Sequence, residues 1–446
     1  MNRQTPNSFC CQETGYSVKS QKGCWFRQQF DNSFFTANKD IMSEIYLINI
    51  TGTHKPGTVA KLASYMKNYE IAVLDISQAV IHDHISLALL LKFPEHQQIE
   101  PLLKEILYQA HNLHLQIDYI PINTEQYESW VKSQGKKQYI ITLLGRTLTS
   151  KHIAQITELI EQQGLDIYYI NRLSARKSTN ASLNDSSVAC FEFSIRGNPI
   201  ELKTMRAQFL NISRTFGVDI GLQENTPYRR HRRLIAFDMD STLIQTEVID
   251  ELAYKAGKGD EVSRITESAM QGELDFKQSL SKRVELLQGL PTSVLDEVAE
   301  NVPLTEGAER LISNLKILGY KVAILSGGFT YFGQVLSSKL NLDYLYANEL
   351  EIENGYLTGR LMGDIVDGPK KAELLQYLAD YENISLEQTI AVGDGANDLP
   401  MLDLAGLGIA FHAKPMVRQG AEQAISNVGL DAILYFLGIK DREAIF

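Results

Sequence analysis

The stretch from Leu234 to Leu243, reading Leu-Ile-Ala-Phe-Asp-Met-Asp-Ser-Thr-Leu, constrains this chain more than any other. Four apolar residues without polar alternation suit a parallel strand buried on both faces. Such strands present their functional groups at the carboxyl end, in the crevice of an open α/β sheet. Asp238 and Asp240 fall at that end. A carboxylate placed there is costly unless a cation or hydrogen bonds compensate it. Mg²⁺ and the electrophilic phosphorus of a phosphoryl group are the expected partners.

Three later segments complete a set. Lys321 to Leu325 reads as a strand running into Ser326-Gly327-Gly328. Val366 to Lys371 precedes a helix through Leu374, Leu375 and Leu378. Thr389 to Val392 is another buried strand, ending in Gly393-Asp394-Gly395-Ala396-Asn397-Asp398, and Leu407 to Phe411 reads as a final strand. Each piece alone is an ordinary turn or cap; four in this order point to chemistry. A carboxylate can attack a phosphate ester and divide hydrolysis into two easier steps, which suits Asp238 as nucleophile. Asp240 then serves as general acid and base, with a raised pKa. Asp238, Asp394 and the Asp240 carbonyl are the expected Mg²⁺ ligands, with Asp398 orienting that shell. Lys371 supplies positive charge, and Ser326 with the Gly327 amide binds phosphate oxygens. Between the first two strands, Glu247 to Asn301 is helical by pattern, which predicts a cap, about 247–302, over the crevice.

The front of the chain carries a duplicated β-α-β-β-α-β pattern, over 43–122 and 137–224. In the first copy, Ile45 to Ile50 is a strand, Thr51 to Gly57 a turn and Thr58 to Asn68 a helix. Strands at Ile71–Ile76 and Ile85–Leu91, a helix at Glu100–Leu113 and a strand at Leu115–Ile120 follow. In the second, a strand ends at Gly145, and Ile153, Ile156, Leu159 and Ile160 share one helix face. Lys177 to Ser187 reads as a mobile hairpin loop. Glu224 to Arg233, with Pro227 and four arginines, reads as a solvated linker to a last domain over 230–446.

Residues 1–42 mix Asn, Gln, Ser, Phe and Cys without periodicity and read as a poorly ordered extension, with Met42 the expected translation start. Three of the four cysteines lie there; no metal spacing or disulfide framework is visible, and a cytoplasmic setting is expected. At 446 residues, 44% hydrophobic and 22% charged, the chain reads as soluble and multidomain. A net charge of −11 without a long basic stripe argues against nucleic acid, and no apolar run is long enough to span a membrane.

With the four motifs in hand, residues 233–438 resemble the phosphoserine phosphatases of the haloacid dehalogenase superfamily. The two front units, on the turns at Gly52–Gly57 and Gly145, resemble ACT domains, although His54 stands where that family commonly has an aspartate. The resemblance implies a Rossmann-like parallel-sheet domain with a helical cap, preceded by two ferredoxin-like α+β domains. It also implies substrate contacts in the cap: Glu247 for an ammonium, Arg283 for a carboxylate, Met270 and Phe276 as apolar contacts, with Asn397 on the phosphate side. Glu247 and Arg283 together suit a zwitterion. The expected reaction is Mg²⁺-dependent hydrolysis of O-phospho-L-serine, the last step of serine synthesis. An amino-acid effector and homodimerisation at the front units are further expectations. Two alternatives stand: a phosphatase or phosphotransferase for another small phosphorylated amine or acid, and an amino-acid sensor with an inactive phosphatase domain.

Overall fold

The computed structural model describes residues 44–94, 100–176, 188–270 and 273–444, less the Met270 side chain. The expected extension over 1–42 and the loop Lys177–Ser187 fall outside the described residues. The chain divides into two compact units, Met1–Gly135 and Lys136–Phe446.

The first unit holds strands β1 (Ile45–Thr53), β2 (Ala72–Ile81), β3 (His84–Lys92) and β4 (Leu115–Ile122) in the antiparallel order β2-β3-β1-β4. Helices Thr58–Met66 and Glu100–Asn112 lie between them in sequence. Burial along β3 alternates residue by residue, so the strand packs one face only. Leu62, Leu102, Leu103 and Ile106 of the helices join Ile48, Leu87 and Leu91 in that core. A further helix, Thr124–Gln134, was not read from the sequence. Its signal was present: Asn123 and Gln126 form a reciprocal capping box.

The second unit begins with the same order again. Strands β5 (Gln138–Gly145), β6 (Asp166–Arg172), β7 (Ala189–Arg196) and β8 (Asp219–Glu224) align as β6-β7-β5-β8. Here β5 and β8 are buried along almost their whole length. Helices Ser150–Gln162 and Leu202–Phe216 pack on the sheet, while Leu144, Leu173 and Cys190 join the core of the following α/β fold. At Gly221 a Cβ would sit 1.9 Å from the Phe436 ring, so glycine is what lets the C-terminal helix approach.

The supposed solvated linker is exposed along most of 224–233 but is corrected at two arginines. Arg229 and Arg232 are buried, 3% and 5% exposed. Arg229 pairs with Glu192 on β7 and donates to the Phe436 carbonyl; Arg232 donates to the carbonyls of Arg229 and Gly406. Two of the four arginines, Arg229 and Arg232, are therefore interior packing held by partners distant in sequence, while Arg230 and Arg233 stay exposed.

The α/β fold is a seven-stranded sheet. Its strands are β9 (Leu234–Phe237), β10 (Lys321–Phe329), β11 (Tyr344–Glu353), β12 (Tyr356–Met362), β13 (Thr389–Gly393), β14 (Gly408–Phe411) and β15 (Gln423–Ile425). The order is β12-β11-β10-β9-β13-β14-β15. β9 is fully buried, with β10 and β13 parallel on its two sides. The strand order reverses at β9, which makes its carboxyl end the crevice where such sheets bind ligands. One reading needs correction, and one edge strand was not read from the sequence. β14 is not the last strand, because β15 pairs parallel beyond it. β12 runs antiparallel at the edge, joined to β11 by a hairpin at Asn354-Gly355, both with positive φ.

Helices Val248–Lys255, Gly259–Met270, Phe276–Glu285 and Thr292–Asn301 follow β9 where the cap was expected. Val248, Leu252, Leu280, Val284, Leu295 and Val298 bury their apolar faces into the same core as β9 and β10. No helix among the described residues is long and apolar enough to cross a membrane.

Candidate active site

Three adjacent strands converge. β9 delivers Asp238, β10 delivers Ser326 to Gly328, and β13 delivers Gly393 and Asp394. Asp238 is 6% exposed, and its Oδ1 accepts from the Met239 amide at 2.7 Å. The chain then turns sharply: Ser241 sits at φ 56°, a left-handed conformation uncommon outside glycine. The turn sends the Ser241 hydroxyl to Glu247, donating to Oε1 at 3.0 Å. It also sets Asp240 beneath the next helix, where its Oδ1 accepts from the Val248 amide at 3.3 Å.

Lys371 enters from below, on helix Gly368–Tyr381, and is wholly buried. Its Nζ lies 2.9 Å from Asp238 Oδ1 and 2.7 Å from Asp398 Oδ1. Burial alone would favour the neutral amine, but the two carboxylates outweigh it and raise the pKa. Asp398 also accepts from the Gly395 amide at 2.9 Å. Carboxylates of Asp238, Asp394 and Asp398 offer oxygens within 4.8 Å of one another, a group that could hold a metal ion. Burial, then the neighbouring Asp238 and Asp398, push Asp394 up to about 8. Three crowded carboxylates against one lysine leave negative charge uncompensated, and all the donors are hard oxygens. That donor set fits Mg²⁺.

Asp240 is raised well above the usual carboxylate range, first by burial and then by Glu247 and Asp238. Glu247 is raised by desolvation within the crevice and then by Asp238, although it stays accessible to solvent. Both line a cavity of about 1150 Å³ between sheet and cap. Asp238, Asp394, Gly327, Asn397, Phe276 and Arg283 line it too. Phe276 packs over Gly327 so closely that a Cβ there would lie 2.7 Å from its ring. Ser326, Lys371 and Asp398 are fully buried and support the cavity from beneath. Of the residues expected from the sequence, only Met270 cannot be placed, since its side chain lies outside the described residues.

Some supporting residues were missed. Asn348 donates to the Gly327 carbonyl at 2.7 Å and accepts from the Val366 amide at 2.8 Å, tying the glycine loop to the lysine-bearing segment. Its place in the middle of β11 gives no local signal. Lys277 of the cap pairs with Asp367 at 3.1 Å. Thr242 Oγ1 lies 3.4 Å from Asp394 Oδ1; it belongs to the first motif, where it had been given no role.

Residues 232–406 match the family model of haloacid dehalogenase-like hydrolases, and residues 44–119 match an ACT domain. A phosphoserine phosphatase of Streptomyces coelicolor is 41% identical over 397 residues, covering 89% of this chain and 93% of its own length. The chain belongs to the phosphoserine phosphatase family. A second member, from Mycobacterium tuberculosis, is 36% identical over 89% of this chain and 94% of its own length. Among solved structures, a probable phosphoserine phosphatase from Vibrio cholerae superposes with a TM-score of 0.54 at 35% identity, over 69% of this chain and 87% of that one. The phosphoserine phosphatase family is one of phosphoric monoester hydrolases, and this member is an enzyme.

One phosphatase glycine is constrained by contact alone. A Cβ at Gly393 would lie 2.4 Å from the Asp398 carboxyl carbon. Asp398 is fully buried and cannot swing aside without leaving Lys371. Gly393→Ala is expected to cost about 1–3 kcal/mol of stability and to lower phosphatase activity at least about 100-fold through misplaced catalytic groups. Thermal melting and phosphate release on the same preparation measure both.

Proposed function

We propose that this chain hydrolyses O-phospho-L-serine to L-serine and phosphate through an aspartyl-phosphate on Asp238. The observation that carries this reading is the shared cavity: Glu247 and Arg283, of opposite charge, face the same space as Asp238 and Asp394. A zwitterion with a phosphate tail meets complementary charge at both ends.

Asp238 attacks phosphorus, and the serine alkoxide leaves. Asp240, kept protonated by its buried acidic surroundings, donates the proton to that alkoxide. Carrying the negative charge thereafter, it takes a proton from the water that opens the acyl-phosphate. Lys371 holds Asp238 in place and balances charge as phosphate oxygens gather it. The Gly327 amide and Ser326 bind those oxygens, and Asn397 contacts the phosphate side. Asp238, Asp394 and the Asp240 carbonyl would hold Mg²⁺, with Asp398 orienting them; when bound, the ion neutralises phosphate charge. Phe276 closes the apolar side, Met270 is the further apolar contact that the family resemblance implies, and Arg283 takes the carboxylate bidentately.

In this reading the domains run 43–122, 137–224 and 230–446, with the cap at about 247–302. The reaction is the final step of serine synthesis in the cytoplasm. The ACT units bind an amino-acid effector and support a homodimer.

A phosphate-release panel tests the reaction. With Mg²⁺, kcat/KM for O-phospho-L-serine should exceed that for phosphoethanolamine and for phosphoglycolate by about tenfold or more, since each lacks one charged group. EDTA should abolish turnover, and added Mg²⁺ should restore it. Equal rates on all three esters, or full activity in EDTA, would refute the reading.

A further inference from the structure

Several buried side-chain atoms among the described residues have no hydrogen-bond partner. Two of them, Ser279 Oγ and Arg283 Nε, belong to residues lining the catalytic cavity. They share one helix, Phe276–Glu285, and stand four residues apart, which places them one turn apart on the same face. Ser279 is 2% exposed. A buried hydroxyl without a partner is unfavourable, and alanine is both apolar and the better helix former at such a position. Nothing in the helix uses the hydroxyl: the nearby cap bonds are exchanged between Asp275 and Gln278, each backbone amide donating to the other's side chain. The hydroxyl is thus a donor without a partner, one helical turn from Arg283.

We infer that Ser279 is a specificity-determining residue, donating its hydroxyl proton to the substrate carboxylate that Arg283 holds. This rests on the proposed phosphoserine reading and deepens it. Arg283 can present its planar fork to the two carboxylate oxygens. Each oxygen keeps a further lone pair, and Ser279, one turn toward the helix N-terminus, supplies a third donor to them. Buried in the cap, the bond faces little competition from water. It is made equally in ground and transition states, because the carboxylate does not react. Its loss therefore appears in KM rather than kcat.

The test compares Ser279→Ala and Ser279→Cys with the unchanged full-length enzyme, in Mg²⁺, on O-phospho-L-serine and phosphoethanolamine. The readout is the ratio of the two kcat/KM values, which does not depend on the fraction of enzyme correctly folded. Cysteine nearly keeps the side-chain volume but is a weak donor, so both variants should behave alike. The ratio is expected to fall about tenfold or more, through a raised KM for phosphoserine, with kcat and phosphoethanolamine turnover little changed. An unchanged ratio overturns the inference. A parallel loss on both substrates also overturns it, since the hydroxyl would then support the fold or the ammonium they share. An unchanged enzyme with no preference for phosphoserine refutes the underlying reading as well, and is seen before any variant is made.

Discussion

Asp238→Asn is expected to reduce phosphate release by at least about 10⁴-fold, the scale on which loss of a nucleophile is felt, while the protein stays folded. Asparagine is nearly isosteric, and its Oδ1 can still accept from the Met239 amide. Lys371 retains Asp398 at 2.7 Å. What disappears is the anionic oxygen proposed to attack phosphorus and one of the carboxylates able to hold a cation. The neighbourhood predicts the stability change as well. Asp238 raises the pKa of Asp240, Glu247, Asp394 and Asp398 by repulsion. Removing its charge relieves four acids and weakens a single lysine pair, so the variant should melt no lower than the parent in metal-free buffer. Mass spectrometry of quenched turnover should show no phosphorylated enzyme. Activity within tenfold of the parent would exclude Asp238 as nucleophile.

Glu192→Ala is expected to be the most destabilising simple substitution outside the site. The Glu192–Arg229 pair is buried, with side chains 8% and 4% exposed. Removing the carboxylate leaves a guanidinium in the interior without its anion, a loss of about 3–5 kcal/mol. Burial already lowers the pKa of Arg229 even with Glu192 beside it, so the environment does not favour the lone cation. Denaturant unfolding measures the loss. The double variant Glu192→Leu/Arg229→Met should be more stable than Glu192→Ala alone, because no uncompensated charge remains. The Phe436 carbonyl would then keep its bond from Gln223. A Glu192→Ala protein within 1 kcal/mol of the parent would mean that water reaches this join.

Much of this architecture was legible in the residues because it rests on local pattern. The uninterrupted apolar run of β9 marked a strand buried on both faces, and alternation along β3 marked one buried on a single face. The hairpin after β11 should have been read as well: Asn354-Gly355 is the preferred two-residue turn, lying between segments that pair as Glu353 with Tyr356. The helix at Thr124–Gln134 has a capping box but no buried residues, so its hydrophobic period was faint. Asn348 carried no local signal, because its role is set by strands whose proximity only the sheet order creates.

The sequence by itself determined the chemistry: which carboxylates end which strands, and that a lysine, a serine and a glycine loop accompany them. Local order sufficed, since parallel strands place their carboxyl ends together whatever lies between. Only the tertiary structure decided the setting. The arginines after Pro227 looked solvated because charge in a polar run ordinarily is. Arg229 and Arg232 are interior because Glu192, Phe436 and Gly406, all distant in sequence, supply their partners, while Arg230 and Arg233 stay exposed. The same holds at the cap: that Ser279 and Arg283, each with an unpartnered donor, line the same cavity as the aspartates depends on how two elements close over one another, which no local spacing encodes.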